Sequence, residues 1–174
     1  MKPYEIIRFE ELKSTNDHIK EHLQSLPDHT LVLTDHQTKG RGRRSNTWES
    51  EAGMNFLGSF YKIVPSGPSH HFMMQGVLAI IKTLRSLGIE ASIKPPNDVY
   101  VQGKKIAGVL SEVIHKHKQH VIIGMGLNVN ESKKAPAVAL IDLARRTYSL
   151  EYITSLIKTH MEATERLDDH TIFE

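Results

Sequence analysis

Between residues 89 and 129 four β-rich runs follow one another at short intervals: residues 89–94, 99–102, 106–114 and 121–129. Val, Ile and Tyr favour strand in these runs, and Gln102-Gly103-Lys104 and residues 115–119 stand where hairpin turns belong. This pattern predicts an antiparallel meander. Helical spacing surrounds it. Ser14 or Thr15 is the predicted N-cap of a helix reaching about Leu26, with Ile19, Leu23 and Leu26 on one face and Pro27 beyond. Residues 71–87 carry a dense apolar helical face ending at Gly88, and residues 140–146 and 152–167 return to helical spacing before a short polar tail. Residues 31–34 and 54–63 add two predicted strands. A β-rich centre with helices at both ends and one in the middle indicates an α+β fold rather than alternating βαβ units. The 174 residues suit one domain spanning 1–174, since domains run to ~100–200 residues.

Composition removes whole classes of chemistry. Without cysteine there is no disulfide framework, thiolate nucleophile or Cys-based zinc site, and a reducing cytoplasmic setting is expected. The opening MKPYEIIRFEELK mixes charges of both signs, and no long apolar run follows, so neither a signal peptide nor a membrane span is predicted. Lys and Arg total 22 against 20 acidic residues, a balance of +2 that is too even for binding nucleic acid through bulk charge. Eleven His are scattered. His115, His117 and His120 fall in a Lys-rich turn without acidic partners and fit a solvated hairpin better than a metal site. No nucleophile, base and orienter assemble, and no carboxylate pair stands out, so covalent catalysis has no support.

Four segments remain with chemical potential. Gly40-Arg41-Gly42-Arg43-Arg44 combines close backbone approach with permanent positive charge, and lacks the spacing of a P-loop or a dinucleotide fingerprint. It reads as an anion loop or as a solvated one. Trp48 follows at once, either stacking on a ring or anchoring the core. Lys94-Pro95-Pro96-Asn97-Asp98 presents polar groups rigidly, which ordinary turn chemistry also explains. Lys104-Lys105-Ile106-Ala107-Gly108 opens a strand with room beside its backbone, for a ligand or for a small-residue bulge. Gly124-Met125-Gly126-Leu127-Asn128-Val129-Asn130 sets two glycines on one strand face, for a ligand or for a packed helix. Ser14-Thr15-Asn16 serves capping or ligand hydrogen bonding.

In this order, STN at 14–16, QTKGRGRRSNTW at 37–48, KPPNDVYVQGKKIAGVLSE at 94–112 and GMGLNVN at 124–130 resemble the catalytic domain of biotin protein ligases. The resemblance runs from about Ser14 to Asn130, with a looser helical match to about Leu167. It implies a mixed sheet packed with helices, the core shared by biotin and lipoate ligases and related to class II aminoacyl-tRNA synthetases. The implied reaction has two steps: biotin and ATP give biotinyl-5'-AMP and pyrophosphate, and a lysine of a biotin carboxyl carrier protein then takes the biotinyl group. Mg²⁺ would ride on the ATP phosphates, with no metal held by the protein itself.

Matched positions imply the roles. Ser14, Thr15, Asn16 and Gln37 belong to the biotin site, and Gly40, Arg41, Gly42 and Arg43 to a loop closing over biotin and adenylate. Lys105 sits at the reacting carboxyl and phosphate, with Arg41 and Arg43 sharing the neutralisation of charge. Gly108 lines the biotin ring system. Trp48, Asn97 and Asn128 serve the nucleotide. Residues 39–48 are expected to be mobile without ligand, because three Arg repel one another. The sequence departs from the family pattern at Pro95, where Trp is usual, and at Ser45, where Gly is common. Residues 1–13 leave no room for the helix-turn-helix of repressor-type members, so DNA is not an expected partner. Residues 132–174 read as helices and tail, so the C-terminal β-barrel of many members is not expected. The resemblance names no membrane partner and permits a homodimer. Its rivals are a lipoate or octanoyl ligase on the same fold, and a non-catalytic module that binds biotin or clamps nucleic acid with the Arg-Gly loop.

Overall fold

The computed structural model describes residues 2–168. In chain order it holds β1 (Glu5–Leu12), α1 (Thr15–Glu21), β2 (Thr30–Gln37), β3 (Phe56–Val64), α2 (Ser69–Ser86), β4 (Ser92–Lys94), β5 (Asp98–Val101), β6 (Lys104–His115), β7 (Gln119–Leu127), α3 (Leu140–Ala144) and α4 (Leu150–Asp168). The strands form one seven-stranded sheet in the order β1-β2-β3-β7-β6-β5-β4. Only the β1–β2 pair is parallel, so the sheet is mixed and the fold is α+β. No described helix is long and apolar enough to cross a membrane. The polar tail expected after Leu167 lies, from residue 169 onward, outside the described residues.

The meander forms as expected from β4 to β7. Its tightest turn joins β5 to β6 through Gln102 and Gly103, whose φ values of 51° and 75° match a two-residue hairpin loop with both residues left-handed. β1 has no counterpart among the predicted strands. It is an edge strand, exposed or half-exposed along its whole length, so neither side carries the apolar alternation that marks a strand in sequence.

Two faces of the sheet are covered unequally. α2 and α4 pack together over one face, where Ile80 and Leu84 of α2 and Ile153, Ile157 and Met161 of α4 are buried with Phe60, Val109 and Ile123 of the sheet. Each such aliphatic side chain contributes about 1.5–3 kcal/mol relative to exposure. The other face carries the short α1, whose Ile19 packs with Val32, Tyr61 and Ile122. α1 ends at Glu21, short of the predicted Leu26, because His22 leaves helical geometry with φ −125°. Leu23 and Leu26 still reach the same apolar cluster from the following turns. The part of this face that α1 leaves uncovered becomes a cleft.

Candidate active site

Strand alternation decides which side chains reach the open face. On β7, Ile123, Met125 and Leu127 join the core beneath α2, while Gly124 and Gly126 line a cleft of about 330 Å³. On β6, Ala107 and Val109 join that core, while Gly108 lines the cleft. Strict alternation would send Lys105 to the core side with Ala107. The β5–β6 register prevents it: Val99 faces Ala107 and Tyr100 faces Lys105, leaving Ile106 without a partner on β5. That extra residue is a β-bulge, and it re-aims Lys105 into the cleft beside Gly108. Ile106 itself is fully buried. The backbone of Lys105 is pinned from outside the sheet, donating to Pro136 O at 3.0 Å and accepting from Val138 N at 2.9 Å. Its ammonium lies 2.9 Å from Asp98 Oδ1 and 5.6 Å from the Trp48 ring.

The Arg-Gly segment closes as a hairpin over this cleft. Arg41 bridges to Thr47, Gly42 N donates to Asn46 O at 2.7 Å, and Trp48 N donates to Gly40 O at 2.9 Å. Its tip carries Arg44 and Ser45 with φ 50° and 65°, the left-handed region that glycine adopts at least cost. The indole of Trp48 lies directly against Gly126. A Cβ on Gly126 would run into that ring, and one on Gly124 would run into the Asn16 side chain, so the paired glycines provide floor space for both. Trp48 Nε1 is buried without a hydrogen-bond partner among the described residues.

The polar end of the cleft is a relay of hydrogen bonds. Ser14 caps α1 by accepting from Asp17 N, and Gln37 Oε1 accepts from Thr15 N at 2.9 Å. Ser59 Oγ donates to Asn16 Oδ1 at 2.6 Å and lies 2.6 Å from Thr15 Oγ1, whose own single proton faces both Ser59 Oγ and, at 3.2 Å, Gln37 Oε1. Asn16 Nδ2 donates to Glu112 Oε1 at 2.9 Å. Glu112 also receives Arg41 Nη2 at 2.6 Å and pairs with Lys20. Arg41 makes a second, two-point contact with Asp17, from Nε at 3.1 Å and Nη2 at 2.7 Å. Burial alone would push the Glu112 carboxyl up, but the bonds from Lys20, Asn16 and Arg41 outweigh it and hold the carboxyl below its ordinary value.

The structure gathers Ser14, Thr15, Asn16, Gln37, Arg41, Gly42, Arg43, Trp48, Asn97, Lys105 and Gly108 around one cleft. Gly40 sits behind it, packed against the Trp48 backbone. Asn128 does not join them. Its buried amide donates to Val138 O at 3.1 Å and so holds the segment that pins Lys105. Asn97 lines the cleft, yet its side-chain amide is engaged by Val109 O at 2.8 Å. Of the three Arg expected to repel one another, Arg41 folds inward onto two carboxylates, while Arg43 has no ion pair among the described residues. Sequence reasoning named Asp98 within a rigid polar turn without giving it a role, and passed over Asp17, Lys20, Ser59 and Glu112. The signal that could have found the last of them was parity, since Glu112 shares the strand face of Gly108 in the KKIAGVLSE block.

The profile of the Biotin/lipoate A/B protein ligase family matches residues 8–128. The bifunctional ligase/repressor BirA of Bacillus subtilis is 34% identical over 123 residues, which is 68% of this chain and 38% of that protein. The biotin--[acetyl-CoA-carboxylase] ligase of Mycobacterium tuberculosis is 30% identical over 146 residues, 78% of this chain and 54% of that protein. The chain thus spans about two fifths to about half of the length of these curated relatives. Among solved structures, the biotin protein ligase of Aquifex aeolicus in complex with biotin and ATP superposes with a TM-score of 0.82 at 26% identity, over 97% of this chain and 73% of that one. With the profile matching residues 8–128 and a relative 34% identical over 68% of the chain, this chain belongs to the Biotin/lipoate A/B protein ligase family.

Proposed function

We propose that the chain is the catalytic unit of an ATP-dependent biotin–protein ligase, forming biotinyl-5'-AMP and passing the biotinyl group to a lysine of a biotin carboxyl carrier domain. The observation that carries this reading is the convergence, on one cleft, of Arg41 and Arg43 from the hairpin with Lys105 from the bulged strand. The relatives support it, since those of Mycobacterium tuberculosis and Aquifex aeolicus carry biotin in their names and the Aquifex aeolicus structure contains biotin and ATP. A cytoplasmic setting belongs to the same proposal.

In the first step a carboxylate oxygen of biotin attacks the α-phosphorus and pyrophosphate leaves. Two anions must meet, so the protein has to hold them in line and neutralise charge before the bond forms. Lys105 is suited to this, because Asp98 and the Trp48 ring fix its ammonium in place and its backbone N–H and C=O are both held by the segment at residues 136–138. Gln37, whose oxygen is occupied by Thr15, keeps its amide hydrogens for the uncharged polar part of the substrate. Trp48 and Asn97 are assigned to the nucleotide. Magnesium is assigned here as a counter-ion on the ATP phosphates. In the second step the acceptor amine attacks the acyl carbon, AMP leaves, and the amine proton is lost.

The test is incubation of the purified protein with labelled biotin, ATP and a biotin carboxyl carrier domain, reading pyrophosphate release and label on the carrier. Label that stays free at saturating ATP and acceptor overturns the proposal. Parallel incubation with octanoate and lipoate identifies the rival on the same fold.

A further inference from the structure

We propose that Glu112 is a positioning residue for adenylate formation; this rests on the proposed ligase reading and extends it to a residue that the motif assignments leave without a role. Arg41 has two carboxylate partners with different anchors. Asp17 lies on α1, so its contact ties the hairpin to a helix on the same side of the molecule. Glu112 lies on β6, the strand that also carries Lys105 and Gly108. Among the described hydrogen bonds of the Arg41 side chain, the one to Glu112 is the one that references the guanidinium to the strand of the second cation. It therefore sets the separation of Arg41 from Lys105.

The same carboxylate accepts from Asn16 Nδ2, which turns Asn16 Oδ1 toward Ser59 and fixes the amide that lies beneath Gly124. One group thus positions a cation and a neutral polar residue of the cleft. Its charge is not left uncompensated. Lys20 pairs with Glu112 from the outer side, so Lys20, Arg41, Asp17 and Glu112 form two cations against two anions. Holding Arg41 in this way orients it without a surplus negative charge to repel an incoming acid.

The experiment compares wild type with the near-isosteric Glu112→Gln in the full chain. Calorimetry measures biotin and the uncharged biotinamide, and adenylate formation is followed separately from transfer of preformed biotinyl-5'-AMP to a carrier domain. Misplacing a charged group by about an ångström costs up to ~100-fold, so adenylate formation should slow by about 10- to 100-fold in kcat. Biotin binding should weaken relative to biotinamide, and transfer of the preformed adenylate should stay within about twofold. In an Arg41→Ala background the same substitution should add little to the loss in kcat, because both changes break one coupled unit. Equal weakening of both ligands, additive losses, or tighter biotin binding would overturn the proposal, the last by making Glu112 a competitor of the substrate. Wild type that binds neither ligand would refute the ligase reading itself, whereas normal wild type with an unaffected variant would refute only the role of Glu112.

Discussion

The two faces of the sheet handle charge in opposite ways. Beneath α2 and α4, Lys62 is 5% exposed, and its ammonium is satisfied internally by Glu165 Oε1 and Gln75 Oε1, both at 2.8 Å. Tyr4 donates to the same Glu165 oxygen at 2.6 Å, and burial together with that carboxylate pushes its phenol well above the ordinary value. Across the sheet, Lys105 and Arg41 are about one-third exposed and stand at the edge of open space. Both faces use lysine and carboxylate, but only one leaves donor capacity for a guest. A buried ion pair stabilises only as a completed unit, whereas a half-exposed one can exchange a partner.

The largest test of this contrast is Glu165→Ala, which strands a buried ammonium and should cost about 3–5 kcal/mol of stability in a denaturant titration. A loss as small as that of an exposed pair would erase the distinction between the faces. Lys105→Ala should do the reverse. It should leave the unfolding midpoint nearly unchanged while slowing adenylate formation, the barrier rising by about 2.7–4 kcal/mol by analogy with a lost oxyanion donor. Gly126→Ala sharpens the comparison further: its methyl displaces the Trp48 ring, so the KM for ATP should rise by roughly tenfold, as for misplaced positioning groups, with little change in stability.

The smallest effect concerns acid. Because the Glu112 carboxyl is held below its ordinary value, its contribution to stability is fully present above the unfolded value of about 4.3. That contribution is lost as pH falls through the lower folded value. Unfolding midpoints of wild type and Glu112→Gln should therefore differ near neutrality and converge in acid. A gap that persists to low pH would disprove the charge-based hold.

Legibility in the sequence followed the same division. The meander and the buried helix α2 were readable because Val, Ile and Leu recur with a period that burial enforces. β1 was not, since an edge strand that is at most half-buried along its length needs no such pattern. The cleft was readable through its Gly, Arg and Lys blocks, yet the hub at Glu112 escaped notice because its partners Asn16, Lys20 and Arg41 come from α1 and the hairpin, distant in sequence. Asn128 presents the opposite case. It lies in a motif that the family resemblance assigns to the nucleotide, while its own amide faces inward onto Val138.

The bulge at Ile106 has a consequence for how such a strand can vary. The address of the Lys105 ammonium is written in the number of residues between it and Gly108, not in their identity. Exchange of Ile106 for another apolar residue keeps that count and leaves the ammonium where it is. Gain of a single codon there, with the bulge kept, would shift the pleat by one residue and turn the cation toward the interior, with composition almost untouched. This stretch is therefore tolerant of spelling changes and intolerant of added length.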